Sequence, residues 1–122
     1  MEYTIENEYL IVTVTTWGAQ VKSVVRKFDD VEHMWQADKS VWGYHAPILF
    51  PHTRKVVDDL IETKGEVYQA KQHGFSRLME HTLVRQTEDT IVMELRSSEE
   101  TLRIFPYAFR LVSTFTLDGD TL

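Results

Sequence analysis

The clearest pattern in the sequence is an alternation of apolar and polar residues with a period of two. It runs through residues 10–14, 91–95 and 109–117, where nearly every second side chain is Leu, Val, Ile, Met or Phe. Successive side chains of a β-strand point to opposite faces, so this period places one face of each segment in a core. The pattern predicts three principal strands and an all-β fold.

Shorter segments rich in Val, Ile, Thr and aromatic residues predict further strands. They are residues 20–25, 31–35, 60–63, 66–69 and 81–86. Turn-forming pairs separate the strands, at residues 7–8, 29–30, 64–65, 88–89 and 118–119. Helix is scarce, and the best candidate is a single turn at residues 38–42 whose first amides are capped by Asp38.

Short strands and turns at this spacing predict an antiparallel sandwich or barrel, and 122 residues are enough for one domain. At the carboxyl end, the strand at 109–117 runs into Asp118, Gly119 and Asp120, which signal a hairpin, and no returning strand follows. The pattern predicts a truncated chain with an unpaired strand edge, through which copies of the chain self-associate. The other interpretation is a frayed tail after a complete small domain.

Composition and charge narrow the classes of function. Hydrophobic residues make up 43% and charged residues 26% of the chain, as in globular proteins. The 13 basic and 19 acidic residues give a net charge of −6, the wrong sign for neutralising nucleic-acid phosphates. The chain has no cysteine and no apolar run of membrane-spanning length. We expect a soluble cytoplasmic protein with no nucleic-acid or membrane partner.

Five histidines are present, and none has the spacing of a metal site, so no metal or other cofactor is expected. His33 alternates with its neighbours in 31–35, which favours a partly buried strand residue, and His81 opens a strand, which also favours a structural role. His73 lies outside any alternation and precedes Gly74, which permits unusual backbone angles or close approach of a ligand. Taken alone, this pattern favours a structural role for the loop histidine over a functional one.

A second irregular segment, residues 47–55, contains two prolines around an apolar run, followed by His52, Arg54 and Lys55. Proline cannot donate a hydrogen bond within a central ladder, so the segment belongs at an edge, a bulge or a loop. Its cations face either a ligand or solvent, and composition favours solvent. Among the three tryptophans, Trp42 is the best placed to meet a ligand because it follows no strand pattern.

Several short segments, in this order and spacing, resemble the aldose 1-epimerase (galactose mutarotase) family, in its LacX-like branch and near the hexose-6-phosphate epimerases. The most specific are PILFP at 47–51 and HGFSR at 73–77. The others are WGA at 17–19, EHMWQ at 32–36, Trp42, FPYAF at 105–109 and LDGDTL at 117–122. The likeness covers nearly the whole chain.

The resemblance implies an antiparallel β-supersandwich, of which residues 1–122 are the amino-terminal part of a single domain. It also implies an isomerase that interconverts the α and β anomers of an aldose by acid and base ring opening. In the family a glutamate base and a histidine acid lie downstream of the HGFSR segment, and neither position exists in this chain. His73 matches another family histidine, which positions the sugar near C1 and its ring oxygen.

The implied partner is a hexose or hexose phosphate. Arg77 matches the last residue of its family segment, and arginines of this region bind phosphate in phosphosugar-handling relatives. After PILFP the usual Gly-Arg pair is replaced, so that Lys55 or, after a one-residue shift, Arg54 takes the arginine's place. The candidate binding residues are Arg77, Arg54, Lys55, Gln72, Trp42 and His52. The alternatives are a non-catalytic sugar-binding or sugar-sensing protein and a β domain for protein contacts.

Overall fold

The computed structural model describes all 122 residues, which form three antiparallel sheets and little helix. The nine strands are β1 (Glu2–Glu6), β2 (Leu10–Thr15), β3 (Gln20–Arg26), β4 (Val31–Glu32), β5 (Leu60–Thr63), β6 (Glu66–Gln69), β7 (Thr82–Gln86), β8 (Thr90–Arg96) and β9 (Arg110–Thr116). One α-helix, α1, spans Glu99–Ile104, and single 3-10 turns lie at Val57–Asp59 and Ser76–Leu78. The predicted all-β, antiparallel fold is confirmed.

The core lies between two of the sheets. The first has the order β1-β2-β3-β4 and the other has the order β7-β8-β9. On β2 and β8 every second side chain is buried, which is the alternation that the sequence predicts. The buried apolar side chains of this core are Ile5, Leu10, Val12, Val14, Ala19, Val21, Ile91, Met93 and Leu117.

The third sheet is a two-stranded hairpin of β5 and β6. Its two-residue turn, Lys64 and Gly65, has φ angles of 53° and 74°, as a tight hairpin turn requires. The hairpin pairs Thr63 with Glu66 and stands apart from the main core. The long irregular segment between β4 and β5 connects it to the first sheet, and that segment carries most of the candidate site residues.

The structure corrects several local predictions. β1 was not predicted, because only Tyr3 and Ile5 mark an apolar face and pairing with β2 decides the strand. The predicted strand at 31–35 is only Val31–Glu32, and His33 is exposed rather than a partly buried strand residue. The single turn after Asp38 is present, with Asp38 Oδ1 accepting the Ser40 N–H at 2.9 Å.

Helix α1 was also missed, since six residues are too few to show a helical period. Its signal is a capping box, in which the Ser98 hydroxyl accepts the Thr101 N–H and the Thr101 hydroxyl accepts the Ser98 N–H. Neither this helix nor the 3-10 turns have the length and apolar character needed to span a membrane.

Candidate functional site

The two most specific sequence segments lie against each other. Phe50 and Gly74 form a parallel bridge, and the Phe50 carbonyl oxygen accepts the N–H of Phe75 at 2.9 Å and of Ser76 at 3.3 Å. Gly74 has a φ of +71°, and a Cβ built on it would lie 2.1 Å from the Phe50 oxygen. Only glycine permits this approach, so the segments at 47–51 and 73–77 form one unit.

A cluster of four phenylalanines stabilises this unit: Phe50 and Phe75 from its two segments, and Phe105 and Phe109 packed against them. Their six ring pairs have centroid distances between 4.9 and 6.2 Å. Tilted and edge-on aromatic pairs at this spacing are favourable beyond their buried area. Because Phe105 and Phe109 belong to FPYAF, the cluster packs this third segment against the segments at 47–51 and 73–77.

His73 is held by backbone contacts to Arg54. The His73 N–H donates to the Arg54 carbonyl oxygen at 3.0 Å, and the Arg54 N–H donates to His73 Nδ1 at 2.9 Å. Both residues have a φ of 66°, in the left-handed region. The side-chain amide of Gln72 lies 3.3 Å from the other ring nitrogen, Nε2. The imidazole is therefore fixed in place and only half-buried.

Arg77 lies beside His73 and packs on an aromatic ring. Its guanidinium carbon is 4.9 Å from the centre of the Tyr44 ring, and its Nη2 donates to the Gln72 carbonyl oxygen at 3.2 Å. Its Nε is buried and has no hydrogen-bond partner. The backbone of Gly18 also packs closely against the backbone of Arg77, since a Cβ on Gly18 would lie 2.8 Å from the Arg77 carbonyl oxygen. The WGA segment thus supports Arg77 directly.

Trp42 lies next to Tyr44, the ring on which Arg77 packs. The N–H groups of Val41 and Trp42 donate to the Asp38 carbonyl oxygen, which forms the turn. The indole N–H of Trp35 donates to the Trp42 carbonyl oxygen at 2.7 Å, and the Trp42 and Tyr44 rings are 5.8 Å apart. The turn and the Trp35 indole thus hold the backbone of Trp42, and Tyr44 contacts its ring.

These side chains line an open depression of about 390 Å³, which we call the His73 depression. Its six lining residues are Trp42, Pro47, Leu49, Gln72, His73 and Arg77. The set contains a cation, an imidazole and an indole but no carboxylate, so it is locally positive on a chain of net charge −6. Four of the seven candidate site residues are brought together here: Trp42, Gln72, His73 and Arg77.

The other three candidates lie elsewhere. His52 lines a separate cavity of about 530 Å³ between the β5–β6 hairpin and α1, with its Nε2 3.0 Å from the Lys71 carbonyl oxygen. Lys55 is exposed and lies 3.6 Å from Asp59. Arg54 is exposed, and its contact with the site is the backbone pairing to His73.

Sequence reasoning did not single out Tyr44, Pro47 and Leu49, although all three contact the site. Tyr44 stacks on Arg77, and Pro47 and Leu49 line the depression. The signals were weak: Tyr44 lies two residues after Trp42 in an irregular segment, and the other two belong to PILFP. Their position depends on the contact between Phe50 and Gly74, which no local pattern reveals.

His81 has the structural role that the sequence favoured. It is 2% exposed, and its Nε2 lies 3.1 Å from the Ser76 hydroxyl. Burial lowers the pKa of His81 below its usual value, which keeps the imidazole neutral. The residue thus packs beneath the turn that carries Arg77 and does not reach the depression.

Comparison with known proteins gives a consistent result. The family model described as aldose 1-epimerase matches residues 1–122. The plasmid-encoded protein LacX of Lactococcus lactis is 32% identical over 127 residues, covering 100% of this chain and 42% of LacX. A structure of a galactose mutarotase related enzyme from Lactobacillus acidophilus has a TM-score of 0.96 and 36% identity, covering 98% of this chain and 40% of that one.

A second structure, of a galactose mutarotase-like protein from Lactobacillus casei, has a TM-score of 0.94 and 32% identity. The match covers 98% of this chain and 40% of that one. The chain thus spans about two fifths of the relatives it matches. With its whole length matched by the family model and its fold shared with these structures, the chain belongs to the aldose 1-epimerase family.

Proposed function

We propose that the chain is the amino-terminal part of an aldose 1-epimerase and supplies one wall of a site for a hexose or hexose phosphate. The single observation that carries the proposal is the His73 depression, where four candidate residues from two distant segments meet. The family membership gives the reaction class, and the depression gives the chemistry to receive a sugar. A cytoplasmic location is part of the proposal, since the sequence lacks cysteine.

The depression suits the binding half of the reaction. An indole face packs against the apolar face of a sugar ring, and the Gln72 amide and His73 imidazole bond to sugar oxygens. Ring opening also needs one base to take the C1 hydroxyl proton and one acid to protonate the ring oxygen. The six lining residues include no carboxylate, so the proposal places the base and the acid on the remaining part of the complete protein.

Arg77 extends the proposal to sugar phosphates. Its guanidinium is preoriented by Tyr44 and by the Gln72 carbonyl oxygen, and a forked donor of this kind suits phosphate oxygens. Arg54 and Lys55 are exposed and do not line the depression. A sugar phosphate is therefore favoured at the Arg77 end of the depression.

Polarimetry on freshly dissolved α-glucose, α-galactose and their 6-phosphates tests the activity of the complete protein. We expect acceleration of mutarotation over buffer, and a rate lowered about 100-fold or more in His73→Ala, because correct positioning contributes at least this much. His33→Ala, which changes an exposed histidine outside the depression, serves as the control. A complete protein that does not accelerate the reaction, or a His73→Ala variant at the parent rate, contradicts the proposal.

The alternative is a non-catalytic sugar-binding protein, which would use the same binding groups of the depression, Trp42, Gln72, His73 and Arg77. Isothermal calorimetry with the same four sugars separates the two functions. Saturable binding without any mutarotation supports the alternative. Binding together with mutarotation supports the enzyme, and a sugar that binds equally well to His73→Ala excludes the depression as the site in both.

A further inference from the structure

The contact between Arg54 and His73 fixes more than the position of the ring. A neutral imidazole has one N–H donor and one lone-pair acceptor on its two nitrogens. The Arg54 backbone N–H can only donate, and it lies 2.9 Å from Nδ1 of His73. Nδ1 must therefore be the acceptor, and the single ring proton of neutral His73 lies on Nε2.

We infer that the Arg54 backbone amide is a positioning group that locks His73 in the Nε2-protonated tautomer and makes it a hydrogen-bond donor to the ligand. The lock is independent of the Arg54 side chain, which is exposed. It is also reciprocal, since the His73 N–H donates to the Arg54 carbonyl oxygen at 3.0 Å. Two residues with a φ of 66° bring these groups into register.

The lock decides which ligand atom His73 can recognise. The side-chain amide nitrogen of Gln72 lies 3.3 Å from Nε2, and both residues line the depression. The Gln72 amide can turn by 180° to present its oxygen to a protonated Nε2, whereas the Arg54 backbone N–H cannot change from donor to acceptor. A nitrogen that carries a proton donates to a sugar oxygen with a free lone pair, such as the ring oxygen of an aldose. It has no lone pair with which to remove a hydroxyl proton, so His73 is a donor and not a general base. This role toward the sugar rests on the proposed function, whereas the tautomer does not.

Nitrogen NMR on the complete protein, with histidine labelled in its ring and all backbone amides labelled, tests the lock without any sugar. The His73 signals are those that disappear in His73→Gln. For the neutral imidazole we expect the Nδ1 shift of an unprotonated nitrogen, and a scalar coupling across the hydrogen bond from Arg54 N to His73 Nδ1. Arg54→Asn should retain both signals, because the backbone N–H is the donor. Asparagine is chosen because it tolerates a positive φ. A proton found on Nδ1 of His73 overturns the inference.

Two substitutions of His73 test the donor role in the mutarotation assay. Gln places an amide near the former Nε2, and Asn places one near the former Nδ1. If His73 acts as a donor through Nε2, His73→Gln should be about tenfold faster than His73→Asn, as one hydrogen bond of ~1.4 kcal/mol implies. An Asn variant as fast as the Gln variant contradicts the donor role. If the parent protein does not accelerate mutarotation, the proposed function is wrong. The tautomer of His73 measured by NMR is independent of that result.

Discussion

At the scale of single residues, His81 shows how a buried titratable group couples stability to pH. Its Nε2 lies 3.2 Å from the Ser76 carbonyl oxygen, so Nε2 is the donor, and Nδ1 is buried without a partner. A second proton on Nδ1 would therefore have no acceptor in the folded protein. This agrees with the direction of the shift, since burial lowers the pKa of His81.

The sign of the pH effect follows from that shift. As pH falls below about 6.5, unfolded His81 takes up a proton while the folded protein does not, so unfolding becomes more favourable. We expect His81 to contribute a loss of up to about 1.4 kcal/mol per pH unit in this range, down to its folded-state pKa. Urea unfolding at pH 7.5, 6.5 and 5.5 measures it.

A neutral isostere isolates the contribution of His81. His81→Gln can still donate to the Ser76 carbonyl oxygen but takes up no proton, so its pH dependence should be shallower than that of the parent. His33→Gln, at an exposed position, should keep the parent's slope. Equal slopes for the parent and His81→Gln would show that His81 does not titrate on unfolding.

At the scale of elements, the contact between Phe50 and Gly74 joins two irregular segments that carry the site. Gly74→Ala would place a methyl group 2.1 Å from the Phe50 oxygen, which accepts two backbone N–H groups. The segments must separate, and we expect a loss of about 3 kcal/mol or more in the free energy of unfolding. Chemical denaturation measures this loss.

Gly65 provides the matched control for this prediction. It has a φ of +74°, close to the +71° of Gly74, but a Cβ there meets no atom within 4 Å. Gly65→Ala therefore reports the cost of the backbone angle alone, about 1 kcal/mol. If Gly74→Ala costs no more than Gly65→Ala, the close approach of the two segments does not contribute to stability.

At the scale of the whole molecule, the sheet of β7, β8 and β9 has an unpaired edge. β9 pairs with β8 along its whole length and has no partner on its other side. Backbone groups along a free edge are a template for another strand, and an exposed apolar side chain, Val112, lies on it. We propose that the 122-residue chain self-associates through β9.

Sedimentation equilibrium of the 122-residue chain tests this association. We expect a dimer or larger species at micromolar concentration, and a shift toward monomer in Val112→Lys, because a charge on an edge strand opposes pairing. Val57→Lys, which changes a highly exposed valine in a 3-10 turn away from the edge, should leave the association unchanged. A monomeric parent chain, or an equal effect of the two substitutions, rules out β9 as the contact.

The sequence by itself determined the β-class, the inward face of each long strand and most turns. These features depend on neighbours a few residues apart. In β2 and β8 the buried side chains alternate with the period of two seen in the sequence. The family resemblance located His73, Gln72 and Arg77 in one segment. The sequence pattern did not predict β1, whose existence depends on pairing with β2, or α1, which is too short to show a helical period.

Only the tertiary structure decided which candidates share a site. The segment that follows Trp42 meets the segment of His73 and Arg77 where the Phe50 oxygen accepts the N–H groups after Gly74, a contact across 24 positions of sequence (74 − 50). His52 lies in another cavity, and Arg54 contacts His73 through its backbone. Local patterns report which face of an element is buried, whereas convergence depends on long-range contacts whose partners a single sequence does not name.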